Sequence, residues 1–208
     1  MTEARISHEQ ASMFERAVIA GGVVVFPSDT VYGLACAADD AVAFDRLYAL
    51  KGRVADKPSA IMFFQLDQAL AALPDLGPRT QNGVATLLPG PATLLLPNPA
   101  RRYPLACAGD PSTLGLRVPA LPPALQTLET MRVPVLQSSA NRAGDPEASV
   151  LADVPQEIRD RADVVLDGGE LPGEPSTVID LRRFENAAEW SIVRQGALTA
   201  DRIRDALG

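Results

Sequence analysis

The sequence predicts an α/β (α+β) fold in a single domain spanning residues 1–208. Three observations support this. Short apolar runs rich in β-branched residues alternate with segments of helical period. No Gly/Ser linker, low-complexity run or internal repeat divides the chain. Its 208 residues, 47% hydrophobic and 22% charged, suffice for one sizeable core and are marginal for two. The irregular order of the elements does not suggest a regular doubly wound sheet.

Ser7-x-x-Gln10 resembles a capping box and precedes an amphipathic run from Ala11 to Ala20, predicting a helix that Gly21-Gly22 ends. Val23–Phe26 is a short apolar run and reads as a buried strand. Asp39–Leu50 returns to helical period, with Ala43, Leu47 and Leu50 on one face. Ser59–Phe64 reads as a strand, and Leu66–Leu73 and Arg79–Leu88 as helices. Ala92–Leu96, Leu114–Val118 and Val133–Gln137 read as further strands. Pro122–Met131 is predicted to be a helix with proline in its first turn. Pro155–Arg161 predicts a short helix and Val164–Leu166 a strand. Ser176–Leu181 and Trp190–Arg194 predict a closing strand pair, and Thr199 caps a last helix.

Composition narrows the function. No apolar run reaches the ~18–20 residues of a membrane span, and MTEARISHEQ shows no signal peptide. Cys36 and Cys107 suit a reduced cytoplasm better than a stapled secreted domain. No Cys/His cluster has zinc spacing, so no metal ligand is assigned. The one histidine, His8, lies in the N-terminal segment and is read as a surface residue, which argues against histidine-dependent nucleophilic catalysis. A net charge of −7 argues against a protein that works mainly by holding nucleic acid, although a local basic patch stays compatible with it.

Polar, turn-forming clusters follow apolar strands at Pro27-Ser28-Asp29-Thr30, Ser138-Ser139-Ala140-Asn141 and Arg194-Gln195-Gly196. Strand ends are where α/β sheets present ligand groups. Neither a Walker-type nor a dinucleotide-binding glycine motif is present. Lys51-Gly52-Arg53, with Lys57 nearby, could hold a triphosphate, alone or with Mg²⁺; the alternative is a solvated basic loop. Ser139 and Asn141 could bind phosphate or ribose, or form a helix cap or Asx turn. Arg117, inside an apolar run, is either paired with an acid or reserved for an anionic ligand. Thr30 and Tyr32 flank Val31. In an extended segment both would point to one side and could orient a polar substrate; otherwise they are a turn threonine and a core tyrosine.

Seven segments in order, PSDTVYGL (27–34), KGR (51–53), LPGPAT (88–93), TLGLRVP (113–119), SSAN (138–141), STVIDL (176–181) and VRQGA (193–197), resemble the YrdC-type threonylcarbamoyl-AMP synthase family, in the short form without an additional C-terminal domain. The resemblance implies a twisted mixed sheet with flanking helices and a concave basic ligand surface. It implies an ATP-dependent nucleotidyltransferase that joins L-threonine, bicarbonate or CO2 and ATP, with Mg²⁺, to give threonylcarbamoyl-AMP and pyrophosphate for modification of adenosine in tRNA. Implied partners are these substrates and, downstream, tRNA or tRNA-modification proteins, in the cytoplasm and away from membranes. Thr30, Tyr32, Arg117, Ser176 and the backbone near Gln137 would form the threonine pocket. Lys51, Arg53, Lys57, Thr113, Ser139, Asn141 and Arg194 would surround ATP, with Lys51, Arg53, Ser139 and Asn141 as the catalytic set. Val54, Lys57, Met62 and Glu147 depart from common family residues; Met62 stands where many members place a pocket histidine, and Glu147 where a serine often contacts ATP. Two other readings stay open: a YrdC-like paralogue without synthase activity, and a double-stranded RNA-binding module.

Overall fold

The structure is a computed structural model and describes residues 5–52 and 57–208. Among these, nine strands form one sheet: β1 (Val24–Pro27), β2 (Tyr32–Ala37), β3 (Ala60–Met62), β4 (Ala92–Pro97), β5 (Thr113–Arg117), β6 (Val135–Ser139), β7 (Val164–Val165), β8 (Thr177–Asp180) and β9 (Ser191–Arg194). Their order is β7-β1-β2-β6-β3-β5-β4-β8-β9. Pairing is antiparallel except for β1–β7, β3–β5 and β4–β8, so the mixed α/β class predicted from sequence is the one observed.

Helices α1 (His8–Ile19), α2 (Ala41–Lys51), α3 (Leu66–Ala72), α4 (Pro78–Leu87), α5 (Pro104–Cys107), α6 (Gln156–Arg161), α7 (Phe184–Ala187) and α8 (Ala200–Leu207) flank the sheet. The reciprocal box between Ser7 and Gln10 starts α1. Asp40 caps α2 by accepting from the N–H groups of Val42 and Ala43. Thr199 caps α8 as predicted, accepting from Arg202. Helix α1 buries Ala11, Phe14 and Val18. The Phe14 ring meets Phe26 of β1 at 5.0 Å and Phe64 at 5.9 Å between centroids, spacings at which tilted aromatic pairs attract beyond their burial. None of the described helices is long and apolar enough to cross a membrane.

Two sequence expectations need correction. Pro122–Met131 is not an α-helix; Gln126–Thr130 forms 3-10 turns. Leu125, Leu128 and Met131 recur every third residue, all are buried, and each donates its N–H to the carbonyl three residues earlier. A three-residue repeat stacks on one face only in 3-10 geometry. Strand β2, which no periodicity predicted, lies inside the sheet between β1 and β6. Its YGLACA sequence has no β-branched residue and is held by partners on both sides.

Candidate functional site

Arg117 ends β5, and its guanidinium is buried. Nη2 donates to Asp29 Oδ1 at 2.8 Å and to Thr30 Oγ1 at 3.2 Å, while Nη1 lies 3.5 Å from Gln137 Oε1. Asp29 is itself fixed by the N–H of Ala120 at 3.0 Å and the hydroxyl of Ser28 at 3.0 Å. Arg117 and Asp29 side chains are only 5% and 3% exposed. Burial pulls the arginine pKa below its ordinary value, and the Asp29 charge opposes that shift. Nε of Arg117 is buried and has no protein partner. Of the two sequence alternatives the structure shows the first, the arginine paired with an acid; Arg117 also lines a cavity.

That cavity, of about 170 Å³, is also lined by Val31, Gln137, Ser139, Glu147, Ser176 and Arg194. On its far side Arg194 Nη2 donates to the Ser176 carbonyl at 2.8 Å and lies 3.4 Å from the Ser176 hydroxyl, which is 2.8 Å from the Thr93 hydroxyl. The register of this wall is set one residue further on. Thr177 Oγ1 donates to the Leu198 carbonyl and accepts from the N–H groups of Gly196 and Leu198. Gly196 is required here, because a Cβ at that position would lie 2.1 Å from the Pro175 carbonyl oxygen.

Lys51 is the last residue of α2 and is buried. Its Nζ donates to the carbonyl of Ser139, to the carbonyl of Asn141 at 2.8 Å and to Asn141 Oδ1 at 3.0 Å. The Ser139 hydroxyl donates to the same Oδ1 at 2.6 Å. Gly52 then adopts the left-handed conformation, φ +57°, that ends the helix. A second cavity, of about 280 Å³, opens over this cluster; Lys51, Lys57, Ser139, Asn141 and Glu147 line it. A third, of about 310 Å³ and largely apolar, adjoins the first across Ser59, Ala60 and Thr93, and Thr113 is on its wall. Thr113 Oγ1 donates to Asp110 at 2.6 Å.

The structure thus brings Arg117, Gln137, Ser139, Ser176 and Arg194 to one cavity, and Lys51, Lys57, Ser139 and Asn141 to its neighbour. Arg53 and Val54 lie outside the described residues. Thr30 is buried against Arg117 rather than facing the cavity. Tyr32 corrects the alternation argument. Thr30 precedes β2, so no strand pleat relates the two side chains, and it is the intervening Val31 that lines the cavity. The Tyr32 hydroxyl lies 3.0 Å from Asp167 Oδ1 and 2.8 Å from the Gly169 carbonyl, and accepts from the N–H of Gly168. Burial pushes its pKa up. Met62 is fully buried in the core and is absent from the walls of these cavities. Asp29 and Thr177 were given no role from sequence; the polar turn after an apolar strand was the available signal for the first.

The site is a set of adjoining cavities assembled from strand ends far apart in the chain, in a mixed α/β molecule of the kind whose strand ends commonly offer ligand positions. The chain belongs to the Sua5/YciO/YrdC family, whose sequence model, described as telomere recombination, matches residues 16–196. It is 32% identical over 191 residues to the threonylcarbamoyl-AMP synthase of Pyrococcus abyssi, covering 90% of this chain and 54% of that protein. It is 36% identical over 167 residues to the threonylcarbamoyl-AMP synthase of Chromohalobacter salexigens, covering 79% of this chain and 89% of that protein. The fold matches P. abyssi Sua5 complexed with L-threonine with a TM-score of 0.84 and 29% identity, over 98% of this chain and 59% of the other. The chain therefore spans about half the length of its Pyrococcus relative.

Proposed function

We propose that this chain is a threonylcarbamoyl-AMP synthase, joining L-threonine, bicarbonate or CO2 and ATP to give threonylcarbamoyl-AMP and pyrophosphate for adenosine modification in tRNA. The observation that carries the proposal is that Arg117 and Arg194 line a cavity adjoining the one at the Lys51–Ser139–Asn141 cluster, the two sharing Ser139 and Glu147. The threonine carboxylate is taken by the positive charge of the Arg117 guanidinium, beside Ser176 and Arg194. Bound there, its nitrogen faces the neighbouring cavity, where the triphosphate lies against Lys57 and the turn that Lys51 orders. The adenine occupies the apolar cavity at Thr113.

The α-amine, its proton lost to solvent, adds through nitrogen to the carbon of CO2, which bicarbonate supplies with loss of water. A carbamate oxygen of the product then attacks the α-phosphorus, the bond from that phosphorus to the bridging oxygen breaks, and pyrophosphate leaves. The protein's share is positioning and stabilisation of charge on the phosphate oxygens by Lys51, Lys57 and Arg194 and by the Ser139 and Asn141 groups. Among the described residues no group of three or more His, Cys, Asp or Glu side chains could hold a metal. In this reading Mg²⁺ would enter with the ATP phosphates and supply charge neutralisation there. The two buried free thiols, Cys36 and Cys107, fit a reducing cytoplasm.

The test is pyrophosphate release from purified protein. Release that requires threonine, bicarbonate and ATP together is the expected result. ATP turnover indifferent to threonine, or none at all, would overturn the assignment.

A further inference from the structure

Glu147 stands on the wall shared by the two polar cavities, the one at Arg117 and the one at Lys51. Its Oε2 is buried and has no hydrogen-bond partner. Among the described residues it is the one carboxylate lining the first cavity, where Arg117 and Arg194 supply two cations. A carboxylate oxygen withdrawn from water without a protein donor is poorly placed unless a ligand supplies one.

An α-amino acid is a zwitterion. A cavity that takes its carboxylate at an arginine needs an acceptor for its ammonium group a few ångströms away. We propose that Glu147 is that acceptor: it holds the α-nitrogen of the amino-acid substrate while Arg117 holds the carboxylate. This rests on the synthase reading above. The location gives the contact a consequence beyond affinity. The nitrogen held at the wall between the cavities is the atom that must carry the carboxyl group towards the α-phosphorus, so Glu147 aims the reacting end of the substrate at the nucleotide. Glu147 is assigned the hydrogen bond from nitrogen and not the removal of its proton.

The test compares wild type with Glu147→Gln and Glu147→Asp, using calorimetric threonine binding and the KM values for threonine and ATP in pyrophosphate release. Glu147→Gln is expected to weaken threonine binding and raise its KM at least about tenfold, the loss of one charge-assisted contact. The KM for ATP should stay within about twofold, and Glu147→Asp should recover part of the loss. The melting temperature of Glu147→Gln should fall little, because Oε2 gives up no protein hydrogen bond and only the Glu147 charge near Arg117 is lost. Unchanged threonine affinity in Glu147→Gln, or an ATP affinity that falls as much as the threonine affinity, would overturn the assignment and leave the synthase reading standing. A wild-type protein that neither binds nor uses threonine would remove both.

Discussion

Arg117 and Asp29 form the most buried ion pair of the site, and the pair is only partly self-sufficient. Removing one partner of such a pair strands the other charge, at a cost of ~3–5 kcal/mol. Asp29→Ala should therefore lower unfolding free energy by that order in urea denaturation, and should weaken threonine binding more than ATP binding, because the guanidinium loses its orientation. Met62 makes the opposite point. The family resemblance suggested a pocket residue, yet its side chain is sealed in the core, with β3 pairing to both β5 and β6. Met62→His would bury an imidazole without an evident partner. It should destabilise by roughly 1–3 kcal/mol and leave the threonine-to-valine ratio in pyrophosphate release unchanged. A changed ratio at unchanged stability would return Met62 to the pocket.

At the scale of elements, the Thr177 hydroxyl holds β8 to the segment after β9 by three hydrogen bonds. Thr177→Val keeps the shape and leaves two N–H groups unpaired. The cost should be ~2–4 kcal/mol by thermal or chemical denaturation, with threonine affinity falling because Ser176 and Arg194 flank that seam. What the sequence made legible among elements follows the same logic of local cause. The Ser7–Gln10 box, the Thr199 cap and the β8–β9 pair are written in adjacent residues, and each was predicted close to its place. Strand β2 was invisible because its state is decided by neighbours remote in sequence. The Pro122–Met131 segment was expected to be an α-helix on its first-turn proline, a signal that suits a 3-10 start equally well; the three-residue spacing of Leu125, Leu128 and Met131 is what separates the two. The same blindness to distant partners hid Asp29, whose role exists only once Arg117 is beside it.

For the molecule as a whole, the polar clusters at strand ends were the readable sign of a site, and the structure gathers most of them. Which cluster faces which cavity was not readable, since strand order β7-β1-β2-β6-β3-β5-β4-β8-β9 reshuffles the chain. Each defining contact closes a long loop: 88 residues separate Asp29 from Arg117, and 90 separate Lys51 from Asn141. That feature makes the site a timekeeper of folding. Loops of that size are entropically dear and close slowly, whereas helices such as α1 form from local contacts. In refolding from denaturant, far-UV circular dichroism should recover first and threonine binding last, with no kinetic phase in which binding leads. Recovery of binding ahead of the helical signal would mean that these distant contacts are already in place in the collapsed chain.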